Sequence, residues 1–153
     1  MRIERRVAEL GLTLPPVGPP RGHFVPCVQS GSLLFVSGQI TSWGAELRHV
    51  GKVGREISAE EARAAARLCA LNVIAEARAF LGDDLDRVRR VCQVHGFVNA
   101  VPEFTEHPSV INGASELLVD VFGEAGRHAR FAIGVGSLPL GVAVEVAAIL
   151  EIS

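Results

Sequence analysis

Apolar residues recur along the chain at two spacings: three to four residues, which predicts helices, and two residues, which predicts strands. The clearest helix begins after Ser58, which forms a capping box with Glu61, and ends before Gly82. A second helix is predicted over residues 110–121, where Gly123 marks its end. One side of the first helix is expected to face a sheet, and its apolar residues are Ala62, Ala66, Cys69, Val73, Ala77 and Phe80.

The start of the chain has a different character. Residues 3–10 carry apolar side chains at helical spacing and stop at Gly11, which predicts a short helix. The proline-rich segment PPVGPP (15–20) follows and predicts an extended arm. We therefore expect residues 1–23 to form a short helix and an arm within a single domain that includes the whole chain, 1–153.

Strand spacing occurs in residues 33–40, 47–50, 89–98, 130–136 and 142–152. The tight connection SLPLG separates the last two segments and predicts that they pair as an antiparallel hairpin. The order of the elements predicts an α+β fold in which two helices pack on one face of a sheet. Alanine and glycine residues are expected to line the other face, which needs a further layer that other subunits would supply.

Composition supports association between subunits and limits the other partners. Of the 153 residues, 48% are hydrophobic, and the mean hydropathy of +0.31 is high for a small monomer. The net charge of −2 gives no electrostatic footprint for nucleic acid or for an anionic membrane, so neither partner is expected. The chain has neither eighteen consecutive apolar residues nor an apolar signal core, which predicts a cytoplasmic protein. The five histidines lack the spacing of a metal site, and no metal is expected.

Two charged residues interrupt the apolar stretch RFAIGVGSLPLGVAVEV, Arg130 at its start and Glu145 near its end. In one hairpin register Glu145 lies opposite Gly134, and both charges then share the face of small residues. A register shifted by one residue would place them on opposite faces. On a shared face they could form an ion pair at a subunit contact, or Arg130 could bind a substrate carboxylate while Glu145 activates a water.

Several segments resemble, in order and spacing, the Rid/YjgF family, also called the endoribonuclease L-PSP family. They are SGQ at 37–39, the capped alanine-rich helix, VIN at 110–112, and AR at 129–130 followed fifteen residues later by the glutamate of VEVAAI. The resemblance covers the chain from about residue 24 to its end. It implies a chorismate-mutase-like α+β fold, with a mixed sheet and two helices on one face, assembled as a homotrimer with clefts between subunits.

The resemblance also implies a function and a set of site residues. Deaminating members hydrolyse 2-imino and enamine acids to 2-keto acids and ammonia without a cofactor. Arg130 matches the arginine that grips the substrate carboxylate, and Glu145 matches the glutamate that orients the hydrolytic water. Asn112, Ser37 and Gly38 match other substrate-binding positions of the cleft.

Two positions depart from the pattern of the active deaminases. Phe24 occupies a cleft position where they carry a tyrosine, and Ala132 replaces their cysteine. The N-terminal arm and the segment 99–111 are also longer, which is typical of a divergent branch. Hydrolysis of imines is therefore weighed against non-catalytic binding of small carboxylates such as 2-keto acids. RNA cleavage is a minor alternative, because no basic stripe interleaved with aromatic residues is present.

Overall fold

Three α-helices and seven strands form in the computed structural model, which describes residues 1–19 and 22–153. The helices are α1 (Arg2–Glu9), α2 (Ala59–Phe80) and α3 (His107–Phe122). The strands are β1 (Cys27–Ser30), β2 (Leu33–Gln39), β3 (Ser42–Trp43), β4 (Glu46–Leu47), β5 (Val88–Asn99), β6 (Ala129–Val135) and β7 (Val144–Ile152). The expected α+β class is confirmed, and the sheet is mixed.

The main sheet has five strands in the order β1-β2-β7-β5-β6. Strand β6 runs parallel to β5, and the other neighbouring pairs are antiparallel. Parallel neighbours need a crossover connection, which α3 supplies between β5 and β6. Strands β3 and β4 form a separate two-stranded sheet.

The predicted hairpin between the last two strands is wrong. Strand β5 lies between β6 and β7 and pairs with both of them. The residues from Gly136 to Ala143, including SLPLG, therefore cross the end of β5 instead of forming a hairpin turn. Two strand spacings amount to only about 10 Å, a distance that a short connection spans easily.

Helices α2 and α3 pack on one face of the sheet, as predicted. Helix α2 contacts β2 and β7, and α3 contacts α2, β5 and β6. The core lies between the helices and the sheet, and its largest fully buried side chains include Leu34, Ile74, Ile111, Leu118 and Leu150. Two glycines allow this close packing. A Cβ on Gly96 would meet Ile111 at 2.6 Å, and a Cβ on Gly113 would overlap the backbone oxygen of Arg63 in α2.

Most predicted helix ends agree with the structure. Ser58 caps α2 by accepting a hydrogen bond from the backbone N–H of Glu61, and Gly82 follows the helix with a φ of +66°. Phe80, assigned above to the buried side of this helix, is instead 43% exposed, because it lies in the last turn beyond the sheet.

The ends of the other helices differ slightly from the prediction. Helix α3 ends before Gly123 as predicted but begins three residues early, at His107, where Pro108 favours the first turn. Helix α1 occupies residues 2–9, close to the predicted 3–10. Pro20, the last residue of the proline-rich segment, and Arg21 lie outside the described residues.

The face of the sheet opposite the helices, called here the open face, is more aromatic than predicted. Ala147 lies on it, but so do larger apolar side chains, because residues at one level of neighbouring strands share a face. His95 stacks on Phe131 at a centroid distance of 4.8 Å. Four large residues on this face are between 36% and 52% exposed in the single chain: Val28, Phe35, Phe131 and Ile133.

The close approach of α2 and α3 predicts the effect of one substitution. Alanine normally stabilises a helix interior by about 1 kcal/mol relative to glycine. In Gly113→Ala, however, the added methyl would overlap a backbone oxygen that cannot rotate away, so the helices must separate. We expect a net loss of about 1–3 kcal/mol in the free energy of unfolding, measured by urea denaturation.

Gly136→Ala is the matched control, because a Cβ there has no neighbour within 4 Å in the part of the chain that the structure describes. Its stability is expected to stay within about 0.5 kcal/mol of the wild type. Equal stability of the two variants would contradict the close packing of α2 on α3.

Candidate functional site

Glu145 projects from β7 onto the open face of the sheet, where it lies opposite Phe97 of β5. Its carboxylate contacts Gly38 of β2 so closely that a Cβ on residue 38 would overlap one carboxylate oxygen. The register of β2 against β7 shifts between Val36 and Gln39, so Gly38 lies in an irregular part of the ladder. Burial raises the pKa of the Glu145 carboxyl above its usual range, since desolvation disfavours the charged form.

Ser37 precedes Gly38 in β2, and its hydrogen bonds reach the segment that carries Phe24. The Ser37 hydroxyl donates a hydrogen bond to the carbonyl of Val25 at 2.9 Å, and its backbone N–H donates to Pro26. These bonds tie the strand that carries Gly38 to the segment that carries Phe24. The Phe24 ring itself is 58% exposed. Four predicted site residues, Phe24, Ser37, Gly38 and Glu145, thus form one group, called here the glutamate half-site.

Arg130 lies on the edge strand β6 and points toward the helices. It pairs with Val94 of β5, which in turn pairs with Ala148 of β7, and both of these side chains are buried under the helices. Its guanidinium donates hydrogen bonds to the Ser115 hydroxyl at 3.0 Å and to the Pro108 carbonyl at 3.1 Å, both on α3. Burial lowers the pKa of the Arg130 guanidinium, which nevertheless remains charged at neutral pH.

Asn112 lies on the same stripe of α3 as the two groups that hold Arg130. It is four residues after Pro108 and three before Ser115, positions that share one face of a helix. His107, at the start of α3, lies against β6 at Gly134, where a Cβ would overlap its ring. Arg130 and Asn112 form the second group of predicted site residues, called here the arginine half-site.

The two half-sites lie on opposite faces of the sheet, contrary to the shared face that one hairpin register predicted. Arg130 is at the level of Ala148, which is three residues along β7 from Glu145. An odd separation places the two side chains on opposite faces. Their Cα atoms are about 14 Å apart, from about 10 Å along the strands and about 10 Å across two strand spacings. A site that uses both residues of one chain on one surface is therefore ruled out.

Sequence reasoning missed two groups at the arginine half-site. The sequence pattern of the five histidines bears only on metal binding and gives no role to His128, and no motif points to Ser115. Ser115 Oγ lies 2.8 Å from His128 Nε2, and His128 Nδ1 lies 2.7 Å from the carbonyl of Gly126. The spacing of Ser115 from Asn112 on a helix is a signal that could have found it, but the contact with His128 depends on tertiary packing.

Two clefts of the single chain lie away from both half-sites. One, of about 520 Å³, lies between α1 and the end of α3, and another, of about 300 Å³, lies between α2 and α3. Neither is lined by Arg130 or Glu145. Among residues 1–19 and 22–153, no group of three or more His, Cys, Asp or Glu side chains is placed to hold a metal ion. Within the same residues, no helix is long and apolar enough to cross a membrane.

Comparison with known proteins relates the chain to one family. Residues 4–152 match the family model described as "YjgF/chorismate mutase-like, putative endoribonuclease". Protein TCP17 of Trypanosoma cruzi is 46% identical over 99% of this chain and 95% of its own length. The structure of a protein of unknown function from Agrobacterium tumefaciens superposes with a TM-score of 0.91, at 47% identity over 99% of this chain and 94% of that one.

A more distant relative carries the RidA name. RidA from a Psychrobacter species has a TM-score of 0.58 and is 26% identical over 91% of this chain and 94% of its own. The match of the family model over almost the whole chain decides the relationship: the protein belongs to the YjgF/chorismate-mutase-like family, which includes RidA.

Proposed function

We propose that three copies of the chain assemble so that the arginine half-site of one subunit meets the glutamate half-site of its neighbour. In the part of the chain that the structure describes, neither Arg130 nor Glu145 forms an ion pair. The edge strand β6 and the open face, which carry the two half-sites, are also where large apolar side chains are exposed. Association through these surfaces would bury the apolar residues and create three equivalent clefts.

The observation that supports the proposal most directly is that the partly buried guanidinium of Arg130 has no carboxylate beside it in the described residues. Other arginines of the chain pair with carboxylates, for example Arg63 with Glu116 and Arg78 with Glu4. No carboxylate lies within ion-pair distance of Arg130 in the part of the chain that the structure describes. A partly buried guanidinium without an anion is costly, and a small carboxylate ligand would remove that cost.

The proposed reaction is hydrolysis of a 2-imino acid, or its enamine tautomer, to a 2-keto acid and ammonia. Arg130 binds the substrate carboxylate, and the neighbour's Glu145 accepts a proton from a water molecule. The water oxygen adds to the imine carbon, and the electron pair of the C=N bond moves to nitrogen. The nitrogen takes the proton back from Glu145, which gives a neutral carbinolamine. The carbinolamine hydroxyl then loses its proton through Glu145 to the nitrogen, the C–N bond breaks to release ammonia, and the keto C=O bond forms. The raised pKa of Glu145 makes it a stronger base than an exposed glutamate.

A second candidate function is binding of 2-keto acids or similar carboxylates without turnover. Ala132 and Phe24 favour it, because neither can supply the polar group that active deaminases carry at these positions. Ala132 also packs against the core on the same face as Arg130, so the strand offers no nearby nucleophile or acid there. The two functions share the role of Arg130 and differ in whether Glu145 acts on a water.

Arg130→Ala tests both functions. In the enzyme, the variant is expected to lose about 100-fold in kcat/KM for imines released by an amino-acid oxidase, because a bidentate charged contact to the carboxylate is removed. The assay follows the disappearance of the imine, and 2-ketobutanoate binding is measured separately by calorimetry.

The exposed Arg127→Ala, on the same approach to β6, should behave as the wild type. A wild-type chain that binds 2-ketobutanoate but does not accelerate imine loss would favour the binder. A wild-type chain that does neither would overturn the role of Arg130, and degradation of RNA lost in the same variant would point to a nuclease.

Gly38→Ala separates the role of Glu145 from that of Arg130. The added Cβ would push the flexible Glu145 side chain aside, so we expect at least a tenfold loss of imine hydrolysis, on the order of a weakened general base, with 2-ketobutanoate affinity unchanged. In the wild type, activity should fall as pH is lowered through the raised pKa of Glu145, since the protonated carboxyl cannot accept a proton.

Gly136→Ala is again the control, because its Cβ meets nothing within 4 Å in the described residues. Full activity of Gly38→Ala would remove Glu145 from the mechanism.

The assembly is tested by placing a charge on the open face. Wild-type protein should have a mass of three times 16.3 kDa by light scattering. Ile133→Glu should shift the protein toward the monomer, because a carboxylate would be buried at the contact. Phe80→Glu is the matched control, since Phe80 is similarly exposed, 43% against 45% for Ile133, but lies at the end of α2. A stable wild-type monomer would overturn the shared site.

A further inference from the structure

Arg130 is connected through Ser115 to His128 by hydrogen bonds, and we propose that Ser115 and His128 position its guanidinium for the carboxylate ligand. The inference rests on the function proposed above. In that function Arg130 binds a carboxylate, and bidentate binding requires one orientation of the guanidinium. Ser115 and His128 act on the ligand only through Arg130.

The direction of each hydrogen bond follows from the acceptor at the far end. A carbonyl oxygen only accepts, so His128 Nδ1, 2.7 Å from the Gly126 carbonyl, must carry a proton. In the neutral ring Nε2 is then an acceptor, and the Ser115 hydroxyl at 2.8 Å donates to it. This leaves the Ser115 oxygen free to accept from Arg130 Nη1 at 3.0 Å.

The surroundings of His128 favour its neutral ring, which is the form that can accept a hydrogen bond from Ser115. Burial lowers the pKa of His128, and the positive charge of Arg130 lowers it further, against the opposite effect of the bond to Gly126. A protonated ring would donate from Nε2 to the Ser115 oxygen. The serine would then face two cationic donors, and its own proton would lose its acceptor.

The hydrogen bonds that run from Arg130 through Ser115 and His128 to Gly126 are fixed to α3 at both ends. Ser115 belongs to this helix, and Gly126 packs so closely on it that a Cβ would overlap the carbonyl oxygen of Leu118. The second guanidinium contact, from Nη2 to the Pro108 carbonyl, also goes to α3. These contacts use two of the five N–H groups of Arg130 and leave three for a carboxylate.

A nucleophilic role for Ser115 is less consistent with its surroundings. A serine hydrogen-bonded to a neutral histidine is the arrangement of many hydrolases. Ser115, however, lies in the interior of α3, where backbone N–H groups bond to carbonyls within the helix and cannot stabilise an oxyanion. Its oxygen already accepts from a guanidinium, which suits a residue that orients Arg130.

The test uses pairs of variants: one member of each pair keeps the hydrogen bonds from Arg130 through Ser115 to residue 128, and the other breaks them. Ser115→Ala removes the acceptor, whereas Ser115→Thr keeps a hydroxyl. His128→Asn can still donate to Gly126 but is too short to reach Ser115, whereas the oxygen of His128→Gln can reach it. The dissociation constant of 2-ketobutanoate is measured by calorimetry on the full chain, with thermal unfolding measured in parallel.

We expect Ser115→Ala and His128→Asn each to weaken binding by about fivefold to tenfold, and Ser115→Thr and His128→Gln to stay within about twofold of the wild type. In the Ser115→Ala background, His128→Asn should have no further effect, because the two residues act through one connection. Independent, additive losses, or equal losses in the Gln and Asn variants, would overturn the positioning role.

NMR of the ligand-free protein separates this inference from the proposed function. At pH 7 the His128 ring should be neutral with its proton on Nδ1. A proton on Nε2 would contradict the proposed hydrogen bonds from Arg130 through Ser115 to His128, whichever ligand Arg130 binds. A wild-type chain that shows this tautomer but binds no 2-ketobutanoate would instead overturn the proposed ligand of Arg130. Organophosphate labelling of Ser115 would overturn positioning in favour of nucleophilic catalysis.

Discussion

The position of β5 between β6 and β7 controls where the charged residues of this protein point. Side chains alternate between the two faces of a sheet, and each strand passes its register to the next. Through β5, Arg130 shares a level with Val94 and Ala148 on the helix side, whereas Glu145 shares a level with Phe97 on the open face. The registers that β6 and β7 take against β5 are therefore what separate the two charges.

This separation has an energetic consequence at each half-site. Arg130 is partly desolvated and held by neutral oxygen atoms, and Glu145 is desolvated enough for its pKa to rise. Neither arrangement is the most stable one for a charged group, because burial without an ionic partner costs free energy. Strand β6 carries Arg130 on its helix side and exposed apolar residues on the open face, and Glu145 also lies on the open face, which supports a second subunit as the source of an ionic partner. A ligand between the subunits would then interact with both charges.

Local signals in the sequence were sufficient for most elements and insufficient for their pairing. The capped α2 and the strands β2, β5 and β7 were found within a few residues, because capping, glycine ends and alternation act over short distances. Whether β6 pairs with β7 depends on the position of β5 in the sheet. Local sequence patterns do not predict that position. The glycine and proline residues of SLPLG suit a hairpin and a short crossing equally well. Sequence alone also cannot select between a register that places the two charges on one face and a register that separates them.

The candidate site residues were predictable to a similar extent. The family resemblance indicated Arg130 and Glu145 as candidate site residues. It did not indicate that they lie on different faces of the sheet. The hydrogen bonds from Arg130 through Ser115 to His128 join a helix to the approach of a strand, and only tertiary packing brings them together. In this chain Ala132 supplies no polar group beside Arg130, so the orientation of the guanidinium has to come from α3. The proposed site therefore depends on α3 twice, once as the crossover that connects β5 to the edge strand β6 and once as the support of the arginine on that strand.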